Sequence, residues 1–167
     1  MLLDYIKRLY VYYYWANERV LRTVERIDAD QAQESGQQAY VRIHATLVHM
    51  VGTEAIWRSR WQGVSPTQRL SPNDLPTLLT VQRRWQDEER QVRGFIDALQ
   101  DDELATPLTY TTLKGLSETL PLAATLLQVS NHGTQHRSEV ALLLTDVGYS
   151  PGDLDFHLYL LECTDAR

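Results

Sequence analysis

Apolar side chains recur through the first stretch of the chain at alternating steps of three and four: Ile6, Tyr10, Tyr13, Val20, Val24 and Ile27. That is the period of a helix with one buried face, and Asn17 fills the one polar slot in the stripe. A polar connection follows, through Asp28, Asp30 and the run Gln33-Glu34-Ser35-Gly36. The pattern then predicts a second helix from near Tyr40 to Trp61, with Ile43, Leu47, Met50, Glu54, Trp57 and Trp61 on one face. Gly63, Ser65 and Pro66 end it, and the stretch through Ser71-Pro72-Asn73 reads as loop.

A third helix is expected to start around Asp74 to Pro76, where a capping residue precedes a proline tolerated in the first turn. Its inward face is Leu78, Val81, Trp85, Val92, Phe95, Ile96 and Leu99. Glu88 and Glu89, set among Arg83, Arg84, Arg90 and Arg93, read as a solvated, salt-bridged surface. From Thr106 to Thr119 the alternation of Leu108, Tyr110 and Thr112, then Leu116 and Leu120, predicts a short β-hairpin. Pro121 opens a fourth helix that ends at Gly148, a residue suited to the left-handed position past a helix C-terminus. A turn at Ser150-Pro151-Gly152 and a short final helix from Asp153 to Glu162 close the chain. The expected fold is all-α: a single domain, residues 1–167, built as an antiparallel four-helix bundle with a small β-hairpin before the fourth helix and a short C-terminal helix.

Charge narrows the partners. The net charge is −6, and no Lys/Arg-rich run appears. Binding along a phosphate backbone needs clustered cations to displace counterions, so nucleic acid and anionic membranes are not expected partners. Asp4, Lys7 and Arg8 interrupt the apolar N-terminal stretch, which denies it the core of a signal peptide. No apolar run reaches transmembrane length, and the cytoplasm is the default compartment. The single cysteine, Cys163, cannot form an internal disulfide and reads as an ordinary thiol. Tyr12, Tyr13 and Tyr14 cannot all face inward on one helix, so one or two are expected on the surface, which suggests a homodimer. Trp57, Trp61 and Trp85 fall on helical stripes and read as core or interface residues.

The histidines carry the chemistry. Of His44, His49, His132, His136 and His157, only His132 and His136 are four apart. On a helix that spacing stacks two imidazoles about 6 Å apart on one face, where they can share a metal ion. Gly133 stands where the HExxH motif of metalloproteases has its general-base glutamate, which disfavours that mechanism. The stripe Leu122, Leu126, Val129, Gly133, His136, Val140, Leu143 and Val147 puts His136 in a core slot with His132 at its border. Polar rings turned into a core need partners for their nitrogens, and a cation would serve one on each. Gly133 would keep the helix surface between them low and open. A third ligand should come from another helix, and His49, flanked by the small Ala45, Gly52 and Thr53, is the best candidate. His44 lies about 140° round the same helix and should not ligate with it. His157 is expected on the surface.

Several stretches resemble the DinB family, a damage-inducible helical-bundle family of DinB/YfiT-like metal-dependent enzymes, unrelated to the DNA polymerase of the same name. They are Tyr14-Trp15-Ala16-Asn17 to Leu21, Leu47-Val48-His49-Met50 with Ile56-Trp57 and Gly63, and Tyr110 with Gly115. Asn131-His132 through His136-Arg137 to Gly148, then Asp153/Asp155 with Tyr159, complete the ordered set. The resemblance implies a three-histidine centre at His49, His132 and His136, holding a divalent metal ion such as zinc or nickel, in a dimeric protein. It also implies transfer chemistry with a low-molecular-weight thiol. A thiol held as thiolate would attack an electrophile, with Glu54 or Glu139 as candidate acceptors of its proton. Two competing readings are a metal-dependent hydrolase, in which the ion activates water, and a non-catalytic stress-associated metal-binding bundle with a closed site.

Overall fold

Each apolar stripe becomes the buried face of a helix. The computed structural model describes residues 1–29 and 34–164, in which α1 (Leu2–Ala29), α2 (Glu34–Trp61), α3 (Leu78–Ala98) and α4 (Leu122–Asp146) form the bundle. A 3-10 turn (Glu103–Ala105), two strands, β1 (Pro107–Thr111) and β2 (Ser117–Pro121), and a last helix, α5 (Phe156–Thr164), complete the fold. α2 packs on α4 and α3, and α1 packs on the same two helices. Ile6, Ile27, Ile43, Leu47, Met50, Ile96, Leu126 and Leu144 fill the shared core. Among the described residues no helix is long and apolar enough to cross a membrane.

The element boundaries depart from the expected ones at α2, at α3 and at α5, which begins at Phe156 rather than Asp153. α2 begins at Glu34 rather than near Tyr40; just before Tyr40, Gln37, Gln38 and Ala39 are good helix formers, and Ala39 is buried against the core. α3 is capped by Thr77, not by Asp74. Thr77 Oγ1 accepts from the Thr80 backbone N–H at 3.2 Å, and Thr80 Oγ1 accepts from the Thr77 N–H at 3.1 Å. This is a capping box with threonine in place of the usual glutamate. Asp74 instead closes a loop turn, accepting from Ser71 N at 2.7 Å and Ser71 Oγ at 2.6 Å, and Pro76 lies outside the helix.

Glu88 corrects the reading of α3's charged face. It is fully buried, with Arg58 Nε donating to Oε2 at 2.6 Å and Arg84 Nη2 to Oε1 at 2.5 Å. Neighbouring residues on a helix point about 100° apart, so Glu88 turns toward α2 while Glu89 stays near the surface with Arg93 at 2.7 Å.

The three tyrosines supply a second correction. Tyr12, Tyr13 and Tyr14 retain 6%, 1% and 4% of their exposure, so all are inside. Tyr12 escapes solvent because α5 lies over it: its hydroxyl donates to the Leu154 carbonyl at 2.7 Å, and Phe156 and Tyr159 pack on its ring. The apolar surface expected for a dimer is covered by the chain itself.

The hairpin forms as expected, with Leu108 opposite Leu120 and Thr111 opposite Ser117. Gly115, at φ 80°, supplies the left-handed residue of its turn. Only Tyr110 of the hairpin is buried, and it stacks edge-on against Trp57 of α2 with Arg60 above its ring.

The buried ion cluster and the exposed pair on α3 should differ sharply in worth. Glu88→Gln leaves two guanidinium groups short of a counterion and should lower unfolding free energy by about 2 kcal/mol, a value discounted because Arg84 is partly exposed. Glu89→Gln should change it by less than about 0.5 kcal/mol in the same urea titration.

Candidate metal centre

Two helices bring three imidazoles together. His49 projects from α2, and His132 and His136 from successive turns of α4. One nitrogen from each ring lies within 4.8 Å of the other two, and all three side chains are half-buried. His49 Nε2 and His132 Nε2 are 3.0 Å apart, and the ring centroids are separated by 4.4 to 5.0 Å. A tetrahedral ion with metal–nitrogen bonds of about 2.0–2.1 Å holds its ligands roughly 3.3 Å apart, so the donor set fits one divalent cation. Among the described residues no fourth His, Cys, Asp or Glu joins the group.

Electrostatics favours the ligating form of the rings. Burial, followed by the neighbouring His136 and His49, pushes the His132 pKa down to about 4. Burial also lowers His49, helped by His136 and Arg69 and opposed by Glu139. At neutral pH both are uncharged, as metal ligands must be. His136 Nδ1 lies 2.7 Å from Glu139 Oε2. A proton held on Nδ1 by that carboxylate leaves Nε2 as the free donor toward the centre.

The floor of the site differs from the expected open notch. The buried stripe of α4 runs through Gly133, Arg137, Val140 and Leu144, so Arg137 rather than His136 takes the core slot, and both histidines sit at its edge. Arg137 is 2% exposed, donates to Asn17 Oδ1 at 3.0 Å and to Thr134 Oγ1 at 2.9 Å, and lies over the rings of Tyr12 and Tyr13. Gly133 is not a gap. A Cβ there would collide with Tyr13 Cε2, so the glycine lets the tyrosine ring press against the backbone between the two histidines.

Tyr13 in turn is held by Glu54. Its hydroxyl donates to Glu54 Oε2 at 2.9 Å, Trp85 Nε1 donates to the same oxygen at 3.0 Å, and the Tyr14 hydroxyl donates to Oε1. Glu54 thus lies at the junction of α1, α2 and α3 and is not among the groups gathered at the histidines. Desolvation raises its pKa to about 7, against the lowering effect of its three donors. Of the two candidate carboxylates, Glu139 touches a ligand and Glu54 touches the tyrosine beneath them. His44 is buried on another face of α2 against Tyr40, while His157 and Cys163 are exposed. Gly52, one turn past His49, accommodates Leu70 of the following loop, whose Cβ would lie 3.3 Å from a Cβ at that position.

A family profile described as the DinB family matches residues 2–164, nearly the whole length, and so spans all three histidines. The chain belongs to the DinB family. It is 24% identical over 170 residues to Protein DinB of Bacillus subtilis (strain 168), covering 94% of each protein. No solved structure matches it at a significant level. In this DinB-family chain the ligand candidates were legible from spacing, whereas Arg137, Asn17, Tyr13 and Glu54 form a supporting network that spacing missed. The signal available was the Asn17 polar slot in α1 and the Glu54 slot in α2, two polar residues on opposite core stripes.

Two changes test this support. Gly133→Ala should cost about 1–3 kcal/mol through overpacking against Tyr13 and should weaken metal uptake, whereas Gly94→Ala, with open space around it, should not. The Glu54 carboxyl has a folded pKa above its ordinary value of 4.5, so its stabilising contribution is complete below about pH 4.5 and is lost as pH rises toward 7. Relative to Glu54→Gln, the metal-free wild type should therefore lose about 3 kcal/mol between those pH values in denaturant titrations.

Proposed function

We propose that this protein is a metal-dependent transferase that activates a low-molecular-weight thiol for attack on an electrophile. The observation carrying this reading is the convergence of three half-buried imidazoles from two helices with no fourth protein donor among the described residues. A divalent ion bound there, zinc or nickel, would supply the positive charge that keeps a thiol in its nucleophilic thiolate form near neutral pH.

The chain's own residues divide the remaining work. His49 and His132 present Nε2 to the centre, and burial keeps them uncharged. Glu139 orients His136 through Oε2, and its half-exposed carboxylate leaves Oε1 to take the proton that a thiol must lose. Glu54, saturated by three donors and closed to solvent, serves as the anchor of Tyr13 rather than as a proton acceptor. The half-buried setting excludes bulk water from one side while admitting a small electrophile from the other. A homodimer rests on the family resemblance alone, since the tyrosine argument for it has gone; sedimentation of the metal-loaded chain decides it.

Metal analysis should find one ion per chain, and His132→Ala should abolish it. Glu139→Gln should keep the fold and weaken metal affinity by about 10- to 100-fold. The loaded protein should conjugate a simple thiol to a generic electrophile such as an activated alkene. Ester hydrolysis without thiol would favour the hydrolase instead, and a cobalt spectrum unmoved by any thiol would favour a closed, non-catalytic site.

A further inference from the structure

Glu54 is 1% exposed and bonds to no histidine, yet a single side chain separates it from the centre. Its Oε2 accepts from the Tyr13 hydroxyl at 2.9 Å, and the Tyr13 ring lies against Gly133, between His132 and His136. The other two donors, Tyr14 and Trp85, form part of the wall of a cavity of about 570 Å³ between α1, α3 and α5. Solvent thus comes within one side chain of the buried carboxyl, which gives protons a route to it.

The hydrogen-bond polarity around Glu54 suits one charge state. Ionised, it accepts from all three donors. Protonated, it carries a hydrogen that needs an acceptor, and an indole N–H cannot be one. A tyrosine hydroxyl must then turn from donor to acceptor and aim its own hydrogen elsewhere. The Tyr14 hydroxyl has no other hydrogen bond among the described residues. The hold on Tyr13 also weakens, because a hydrogen bond to a carboxylate is roughly twice as strong as one to a neutral group.

Burial opposes the ionised form, and the charge of Glu88 on α3 adds to it, so the carboxyl titrates at about 7 despite its donors. Glu88 itself is matched by Arg58 and Arg84. Tyr10, Tyr13 and Tyr14 of α1, pushed well above their ordinary range by burial and then by Glu54, stay neutral. Arg93 of α3 lies over the Tyr14 ring and Arg137 of α4 over that of Tyr13. Among these groups Glu54 is the one that changes charge near neutral pH. Positive charge added at the histidines favours its ionised form, and by linkage the ionised form favours a cation there to the same degree.

We propose, resting on the metal-binding part of the reading above and not on its transfer chemistry, that Glu54 is a positioning residue that sets the pH range of metal uptake. Ionised, it holds Tyr13 against Gly133 and favours the cation; protonated, it relaxes both.

Two measurements test it. In the first, zinc affinity is followed from about pH 5.5 to about pH 8.5 by competition with a chelator, and wild type should gain about tenfold more than Glu54→Gln. Proton competition at the histidines is common to both proteins and cancels. Tyr14→Phe removes a donor to the ionised form, so the midpoint of the extra gain should move up by about one pH unit, with affinity above it unchanged within about twofold. A purely structural role for Tyr14 would lower affinity evenly at every pH. In the second, infrared difference spectra follow the protonated carboxyl band of Glu54, identified by its loss in Glu54→Gln or, should that variant not fold, by its shift in Tyr14→Phe. Zinc should lower the midpoint of this band by about one pH unit. A midpoint unmoved by bound zinc, or a gain in affinity equal in wild type and Tyr14→Phe at every pH, overturns the inference and leaves the metal centre in place. Absence of zinc binding at any pH overturns both.

Discussion

One buried carboxylate organises the bundle. Among the described residues no cation pairs with Glu54, and an isolated ionised carboxylate in a core costs several kcal/mol or more. Three donors from two other helices offset part of that cost, and the pKa of about 7 records the remainder. These donors can reach one carboxyl group only when α1, α2 and α3 hold a single relative register. Hydrophobic side chains at the same positions would tolerate sliding; a carboxyl with directed partners does not. α4 joins the arrangement through Tyr13, whose hydroxyl is bound to Glu54 and whose ring fills the space at Gly133. The position of His132 and His136 is thereby coupled to a group on another helix that touches neither.

Arg137 completes the coupling from the α4 side. A buried arginine needs acceptors, and it has Asn17 and Thr134 together with the faces of two tyrosine rings. None of these is a full counterion. The guanidinium is tolerated because its charge is spread and its plane lies over aromatic faces. Asn17, the one polar slot in the α1 stripe, is therefore explained by its acceptor oxygen. The bundle core is polar along one line, from Glu54 through Tyr13 to Arg137, and that line runs beneath the histidines.

Periodicity reads burial well and partnership poorly, and the differences between expectation and structure follow from that. The stripes of α1, α2 and α3 and the HxxxH pair were legible because each depends on local spacing alone. The hairpin was legible from alternation, and Gly115 supplies its turn. Glu88 read as solvated because nothing in its own helix shows that Arg58 approaches from α2. One or two of Tyr12, Tyr13 and Tyr14 are expected at the surface because nothing in α1 shows that the segment around Leu154 and α5, about 140 residues later, covers Tyr12. The α4 stripe holds at Leu122, Leu126, Val129, Gly133 and Val140 and slips by one residue at His136 and Leu143, where Arg137 and Leu144 are buried instead; aromatic faces and two acceptors, supplied mostly by other segments, make Arg137 fit the core. In each case the missing information was a contact between distant segments.

The site sits where the core ends, and its chemistry requires that. Two ring nitrogens 3.0 Å apart cannot meet as bare lone pairs; they share a proton or they share a cation. A fully buried trio would satisfy itself through the proton and admit nothing else, whereas a fully exposed trio would be solvated separately and lose its convergence. At half-burial the rings are dry enough for His132 to shed its proton down to about pH 4, and open enough for a ligand to approach. The proton is then a weak competitor at neutral pH, and a cation bound there would face three rings already aimed by α2, α4 and Glu139. Most of the orientation entropy of the ligands has been met during folding, by the polar line through Tyr13 and Glu54. That is the physical link between a carboxyl group at the centre of the bundle and the candidate metal centre at its edge.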